Sequence, residues 1–228
     1  MARLTYLGHS AFLLEKDGHV VAVDPFLSYN PKASHAAEDI HPETILVTHA
    51  HNDHVGDTME IAKRTGAKVI TTFELGEWME KQGVSTVVPA NHGGTIPFAG
   101  GTAKLVPAWH TSSFVHNGEN VAIGFPAGFV VRMGDTCVYF AGDTCLFGDM
   151  RLIGEEALDA AVIPIGDFYT MGPADALRAV DLLQPKVVIP CHYNTFPPIE
   201  QDAADFAKKV ESTGRTCAPL APGESVEI

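Results

Sequence analysis

Positive charge is scarce in this chain. Fifteen Lys and Arg stand against 28 Asp and Glu in 228 residues, a formal net charge of −13. A surface of that sign repels phosphate polyanions, so a nucleic-acid partner, which would want a basic stripe, is not expected. Long apolar runs are missing too. No stretch approaches the roughly 18 apolar residues of a membrane span, and Met1-Ala2-Arg3-Leu4 opens no apolar region followed by a cleavage site, so the expectation is a soluble, cytoplasmic protein without a membrane partner. Cysteine is also sparse. Cys137, Cys145, Cys191 and Cys217 form no Cys-x-x-Cys pair, which argues for free thiols and against a zinc finger or a disulfide framework. Nothing reads as a linker, and the 46% apolar content suffices for one sizeable core, so residues 1–228 are expected to form a single domain.

Histidine, by contrast, is concentrated. Thr48-His49-Ala50-His51-Asn52-Asp53-His54-Val55-Gly56 places three imidazoles and a carboxylate within six positions. Thr44-Ile45-Leu46-Val47 before it reads as a buried strand, and residues 55 to 65 have helical character, so the cluster lies on a strand-to-helix turn. On the extended approach His49 and His51 point the same way, because strand side chains alternate with period two; Asp53 and His54 turn back from the first helical residues. Crowding these groups is costly without a cation, and neutral imidazole with carboxylate is what zinc, manganese and iron sites take. One stretch could thus serve two neighbouring ions.

The rest of the chain brings polar residues repeatedly to strand ends. Residues 2 to 25 read as three strands, Leu4 to Leu7, Ala11 to Glu15 and Val20 to Asp24, with Asp17-Gly18 as a hairpin turn and His9 between the first two. Residues 26 to 42 read as a long surface loop. A βαβα pattern follows: a helix over 55 to 65 ended by Gly66, a strand at Lys68 to Thr72, a helix at Glu74 to Lys81 and a strand at Thr86 to Pro89. Gly94 to Phe98 and Ala103 to Ala108 are short strands, the second closed by His110, and residues 111 to 120 read as a polar loop holding His116. Val121 to Val131 and Cys137 to Phe140 flank a turn at Met133-Gly134-Asp135 and lead to Asp143, a carboxylate placed to bridge two cations beside a glycine that permits close backbone approach. A strand at Ala157 to Ile165, a helix at Pro173 to Leu183 entered through proline and a strand at Lys186 to Pro190 lead to His192. A helix at about Glu200 to Ser212 and strands at Cys217 to Leu220 and Ser225 to Ile228 close the chain. The two halves share an order of elements, consistent with sheet packed on sheet and helices outside.

His-x-His-x-Asp-His after a strand resembles the signature of the metallo-β-lactamase-fold superfamily. Asp24-Pro25, Trp109-His110, Ala141-Gly142-Asp143-Thr144 and Pro190-Cys191-His192-Tyr193-Asn194 match its further pieces in order, so the resemblance covers essentially the whole chain. Tyr6-Leu7-Gly8-His9-Ser10, Asn120 to Phe129, Pro164-Ile165-Gly166-Asp167, Thr170-Met171-Gly172 and His192 to Ile199 resemble one branch, the bacterial and archaeal metal-dependent hydrolases related to ascorbate-6-phosphate lactonase. The resemblance implies an α/β chain folded as a four-layer αββα sandwich. It also implies two divalent ions, the first held by His49, His51 and His110, the second by Asp53, His54 and His192, with Asp143 bridging. Zinc leads among the metals, and a donor set of this kind also accepts manganese, iron, nickel or cobalt. Asp24 matches a carboxylate that steadies a ligand loop, and Asp53 a residue that orients the attacking water. His9, His116, Tyr193 and Asn194 are the remaining polar candidates for contact with substrate or ligands. Some true β-lactamases use a thiolate where this chain has Asp143, with Cys145 only two positions later, which speaks against a β-lactam substrate.

The function this implies is hydrolysis of a small ester, lactone or phosphoester by water shared between two metal ions, with no serine or cysteine nucleophile. A di-iron oxidoreductase of the same fold is a second reading; such proteins usually have glutamate where His51 stands and carry a flavin domain. A metal-binding protein without turnover is a third, weakened by the presence of all seven ligand residues. The expected partner is a small molecule, and the resemblance adds a homo-oligomer.

Overall fold

Strands with apolar residues on both faces can be covered only from both sides, and this chain builds two such sheets. The computed structural model describes residues 1–116 and 118–228. The first half supplies β1 (Arg3–Gly8), β2 (Ala11–Lys16), β3 (His19–Val23), β4 (Thr44–Leu46), α1 (Asn52–Val55), α2 (Thr58–Thr65), β5 (Lys68–Thr72), α3 (Phe73–Lys81) and β6 (Val87–Ala90). After β7 (Thr95–Phe98) and β8 (Gly101–Pro107) comes a separate hairpin, β9 (Ser113–His116) and β10 (Glu119–Ala122). The second half continues with β11 (Ala127–Met133), β12 (Thr136–Phe140), α4 (Met150–Gly154), β13 (Ala160–Pro164), α5 (Pro173–Leu183), β14 (Val187–Cys191), α6 (Ala203–Glu211), β15 (Thr216–Cys217) and β16 (Ser225–Glu227).

The sheets run β16-β1-β2-β3-β4-β5-β6 and β15-β14-β13-β12-β11-β8-β7. Alternation divides each strand between two cores. Leu46 on β4 joins Phe12, Phe129, Val138 and Phe140 between the sheets, whereas Ile45 faces Ile61 of α2 and Leu75 of α3. On β12, Val138 and Phe140 point inward, while Cys137 and Tyr139 pack under Val180 of α5 and Phe206 of α6. The result is the expected four-layer αββα sandwich. Fully burying side chains such as Phe129 and Phe140 contributes roughly 1.5–3 kcal/mol each.

Strand direction positions the site. β3 through β6 are parallel and β1 runs with them, separated by antiparallel β2; β12 through β15 are parallel and β8 runs with them, separated by antiparallel β11. Loops leaving the C-terminal ends of β1, β3, β4, β8, β12 and β14 carry His9, Asp24, residues 49–54, His110, Asp143 and His192.

Several local expectations are corrected. The helix over 55 to 65 is two helices, α1 and α2, broken at Gly56, whose φ of 43° and close approach to Phe26 leave no room for a Cβ. Strand β9 and the start of β10 occupy the stretch expected to be only a polar loop, Val121 belongs to β10, and the strand expected from Val121 starts afresh at Ala127, whose N–H donates to the Thr48 carbonyl. The strand at Ala157 to Ile165 begins only at Ala160, since Ala157 has a φ of 56°. The last helix starts at Ala203 because Asp202 caps it, its Oδ1 accepting from Ala204 and Asp205 N–H. The strand at Cys217 to Leu220 is only Thr216–Cys217, and α4 is too short to show periodicity in sequence. Among the described residues the four cysteines are free, and no helix is long and apolar enough to cross a membrane.

Candidate metal centre

Backbone conformations that side chains resist mark this edge of the fold. His9, Asp24 and His192 adopt left-handed φ values of 60°, 43° and 53°, which persist only where surrounding structure enforces them and concentrate at functional sites. At Gly142 the φ is 61° and a Cβ would lie 3.0 Å from the Thr48 side chain, so glycine lets the Asp143 loop lie against the histidine loop. Thr144 Oγ1 accepts from Trp109 N–H at 3.0 Å, tying the His110 loop to the Asp143 loop. His192 N–H donates to the His9 carbonyl at 2.8 Å, joining the two sheets from the other side.

Buried Asp24 sets the ring orientations. Thr48 N–H donates to its Oδ1 at 2.8 Å, and Thr48 Oγ1 donates to its Oδ2 at 2.7 Å. With its proton so used, Thr48 Oγ1 accepts from His49 Nδ1–H at 2.9 Å. His54 Nδ1–H donates to Asp24 Oδ2 at 2.7 Å. One carboxylate therefore turns Nε2 of both rings toward Asp143, which is how outer groups select a ligand tautomer.

Asp143 is the meeting point. Its Oδ2 lies 3.1 Å from His192 Nε2, 3.6 Å from His110 Nε2 and 3.9 Å from His49 Nε2, and its Oδ1 lies 3.3 Å from His54 Nε2. His49 Nε2 and His51 Nδ1 approach to 2.9 Å. One donor atom each from His49, His51, His110 and Asp143 lie within 4.8 Å of one another, and so do donors from His9, Asp53, His54 and His192. That spread is close to the roughly 4.4 Å maximum between ligands bonded at ~2.0–2.2 Å to one ion. Buried His54 Nε2 and Asp143 Oδ1 have no hydrogen-bond partner, although they face each other. Orphaned inward atoms among imidazoles and carboxylates fit a divalent cation.

The electrostatics agree. Burial pushes the His49 imidazole well below its usual range, with His54 adding to the effect, and burial likewise lowers His51 and His110. Burial brings His9 down to about 4, outweighing the hydrogen bond to Asp53. For His54, burial acts downward but the Asp143 and Asp24 carboxylates outweigh it, so its pKa stands well above normal. Burial would raise Asp143, yet His192 and His54 hold it well below the usual carboxylate range; Asp53 is lowered against burial by the hydrogen bond from His9 and by His54.

The structure brings together all seven residues of the implied ligand set, with Asp24 behind them. His9 comes closer than a supporting role requires: its Nε2 lies 3.1 Å from Asp53 Oδ2, within the second group of donors. Tyr193 packs among the residues covering the outer face of the second sheet, and exposed Asn194 closes a turn by exchanging hydrogen bonds with the backbone of Gln201. Neither is brought to the donors in the way their place beside His192 suggested. The side chain of His116 lies outside the described residues. Two further residues take part: Thr48, whose place directly before His49 was a signal in the sequence, and Thr195, whose Oγ1 lies 2.9 Å from His9 Nδ1 and which nothing local to His9 announces.

A beta-lactamase superfamily domain model matches residues 3–192. A UPF0173 metal-dependent hydrolase of Thermus thermophilus is 49% identical over 228 residues, covering 100% of both chains, and one of Methanopyrus kandleri is 50% identical, covering 99% of both. A solved structure described as a novel metallo hydrolase from the hyperthermophilic archaeon Ignicoccus hospitalis aligns with a TM-score of 0.89 at 41% identity, over 99% of this chain and 97% of its own.

Proposed function

Given that the chain belongs to the beta-lactamase superfamily and, within it, to the UPF0173 metal-dependent hydrolases, we propose that it hydrolyses a small ester, lactone or phosphoester at a pair of divalent metal ions. The observation that carries this reading is the position of Asp143, a buried carboxylate facing histidines of both four-donor groups. His49, His51 and His110 would hold one ion, Asp53, His54 and His192 the other, with Asp143 between them. When bound, such ions supply Lewis acidity toward the scissile group and acidify water, to a pKa of about 7 in a well-tuned zinc site.

The residues of the chain do the positioning. Asp24 holds His49, through Thr48, and His54 in one tautomer each, and the burial of His49, His54 and Asp143 keeps bulk water from their inner atoms. Asp53 is the member of the set that is both ionised and partly exposed, its side chain 31% accessible, so its carboxylate can accept a proton from, and so orient, an attacking water. His9 fixes that carboxylate through Nε2. In the hydrolysis the water oxygen bonds to the electrophilic carbon or phosphorus, the bond to the leaving oxygen breaks, and one water proton ends on the leaving group. No side-chain nucleophile is required.

Zinc is the expected metal, with manganese, iron, nickel or cobalt compatible with the same donors. The test is a screen of esters, lactones, thioesters, phosphodiesters and β-lactams with protein of assayed metal content, reconstituted with zinc or manganese. Turnover is expected only for metal-loaded protein, and a rate that survives complete chelation would contradict the reading.

A further inference from the structure

We propose that the cavity beside the histidine loop seats an uncharged, apolar portion of the substrate, so that the substrate is a carboxylic ester or lactone bearing an aliphatic or aryl group rather than a phosphorylated sugar. This rests on the hydrolase reading above and narrows it.

The cavity encloses about 580 Å³, within the ~300–1,000 Å³ range of small-molecule sites. Its lining includes the large apolar side chains of Phe26, Met59, Leu75, Trp78, Phe114 and Phe196. It is continuous with the donor groups: Asp53 and Asn52 line it, and the rings of Phe26 and Phe196 stand edge-on to His9 at 5.9 and 5.6 Å. An acyl or aryl group lodged there would bring its carbonyl toward the carboxylate of Asp53.

Charge decides between substrate classes. Among the described residues lining the cavity none is Lys, Arg or His, and the two carboxylates present are Asp53 and Asp57. Asp57 is already engaged, accepting from Leu27 N–H, Ser28 N–H and the Ser28 hydroxyl. A phosphate placed here would meet carboxylates without the Arg or Lys that phosphate recognition uses, whereas a hydrocarbon group gains from leaving water. The outer wall comes from the β9–β10 hairpin, which pairs into neither large sheet; its Phe114 packs on Trp78 with ring centroids 4.3 Å apart, and exposed Val115 lies at the edge.

The experiment uses the zinc-reconstituted full chain in two arms. In the first, p-nitrophenyl esters from acetyl to octanoyl are compared with p-nitrophenyl phosphate and its bis-ester. In the second, binding of the neutral fluorophore N-phenyl-1-naphthylamine is titrated. We expect kcat/KM to rise at least ~tenfold from acetyl to hexanoyl, mainly through KM. Met59→Glu and Val115→Glu should each weaken fluorophore binding at least ~tenfold and depress the hexanoyl ester more than the acetyl ester. A flat chain-length profile, faster turnover of the phosphate compounds, or undiminished fluorophore binding by both Glu variants overturns the proposal. Failure to turn over any compound at full metal content would instead sink the hydrolase reading, and the fluorophore arm would still decide on the cavity.

Discussion

The two groups of donors lie on either side of one carboxylate, yet they are held differently. In the group of His49, His51 and His110, burial lowers every imidazole pKa, so each nitrogen favours its neutral form. In the group of His9, Asp53, His54 and His192, His54 is poised between Asp24 and Asp143 and favours the cation, while His9 is committed to Asp53 by a hydrogen bond. The first group is therefore ready to receive a cation, whereas in the second an ion would have to compete with the proton of His54 and with the His9–Asp53 contact. Metal affinity should accordingly fall on acidification, since binding displaces protons.

Removing the carboxylate that faces histidines of both groups has the largest expected effect. Asp143→Ala should abolish turnover, by at least ~10³-fold, and lower the metal content of both groups while circular dichroism stays native; a retained rate would mean that Asp143 bridges nothing. The next test sharpens the contrast through acid stability of the chelated protein. His9 titrates near 4 when folded and near 6.5 when unfolded, so its contribution is fully present above about 6.5 and is lost as pH falls through about 4. His54, with its raised folded pKa, contributes below its unfolded value and loses that contribution as pH rises through its folded one. His9→Gln should thus flatten the loss of stability between pH 6.5 and 4, by on the order of 3 kcal/mol, in urea unfolding followed across that range; an unchanged slope would place the acid sensitivity in the other group.

Smaller effects come from behind the ligands. Asp24→Asn replaces one acceptor oxygen by an NH₂ that would oppose donors from Thr48 or His54, so metal affinity or activity should fall roughly 10- to 100-fold, with both groups affected because the carboxylate supports His49 and His54 together. If only one ion were weakened on titration, the shared support would be disproved. Tyr193→Phe, on the outer face of the second sheet, should change kcat/KM by less than about twofold; a larger drop would bring the phenol back to the reaction.

Local chemistry carried much of this site into the sequence. His49, His51, Asp53 and His54 are legible because six consecutive positions on a strand-to-helix turn constrain their own geometry, and strand alternation sets His49 and His51 on one side. Asp17-Gly18 marked its hairpin and Pro173 its helix for the same reason, since turn and cap preferences act over a few residues.

What needed the tertiary structure was everything that depends on two distant segments meeting. The entry of His9 into a donor group, the single carboxylate of Asp24 serving two rings, and the turning away of Tyr193 and Asn194 follow from strand direction and left-handed backbone at strand ends. The apolar cavity beside Asp53 arises only where α2, α3 and the β9–β10 hairpin enclose it. Residue types and short spacings specify which atoms can bind a cation. Their convergence, and the space left beside it, is set by packing of the two sheets, a long-range property that no local pattern encodes.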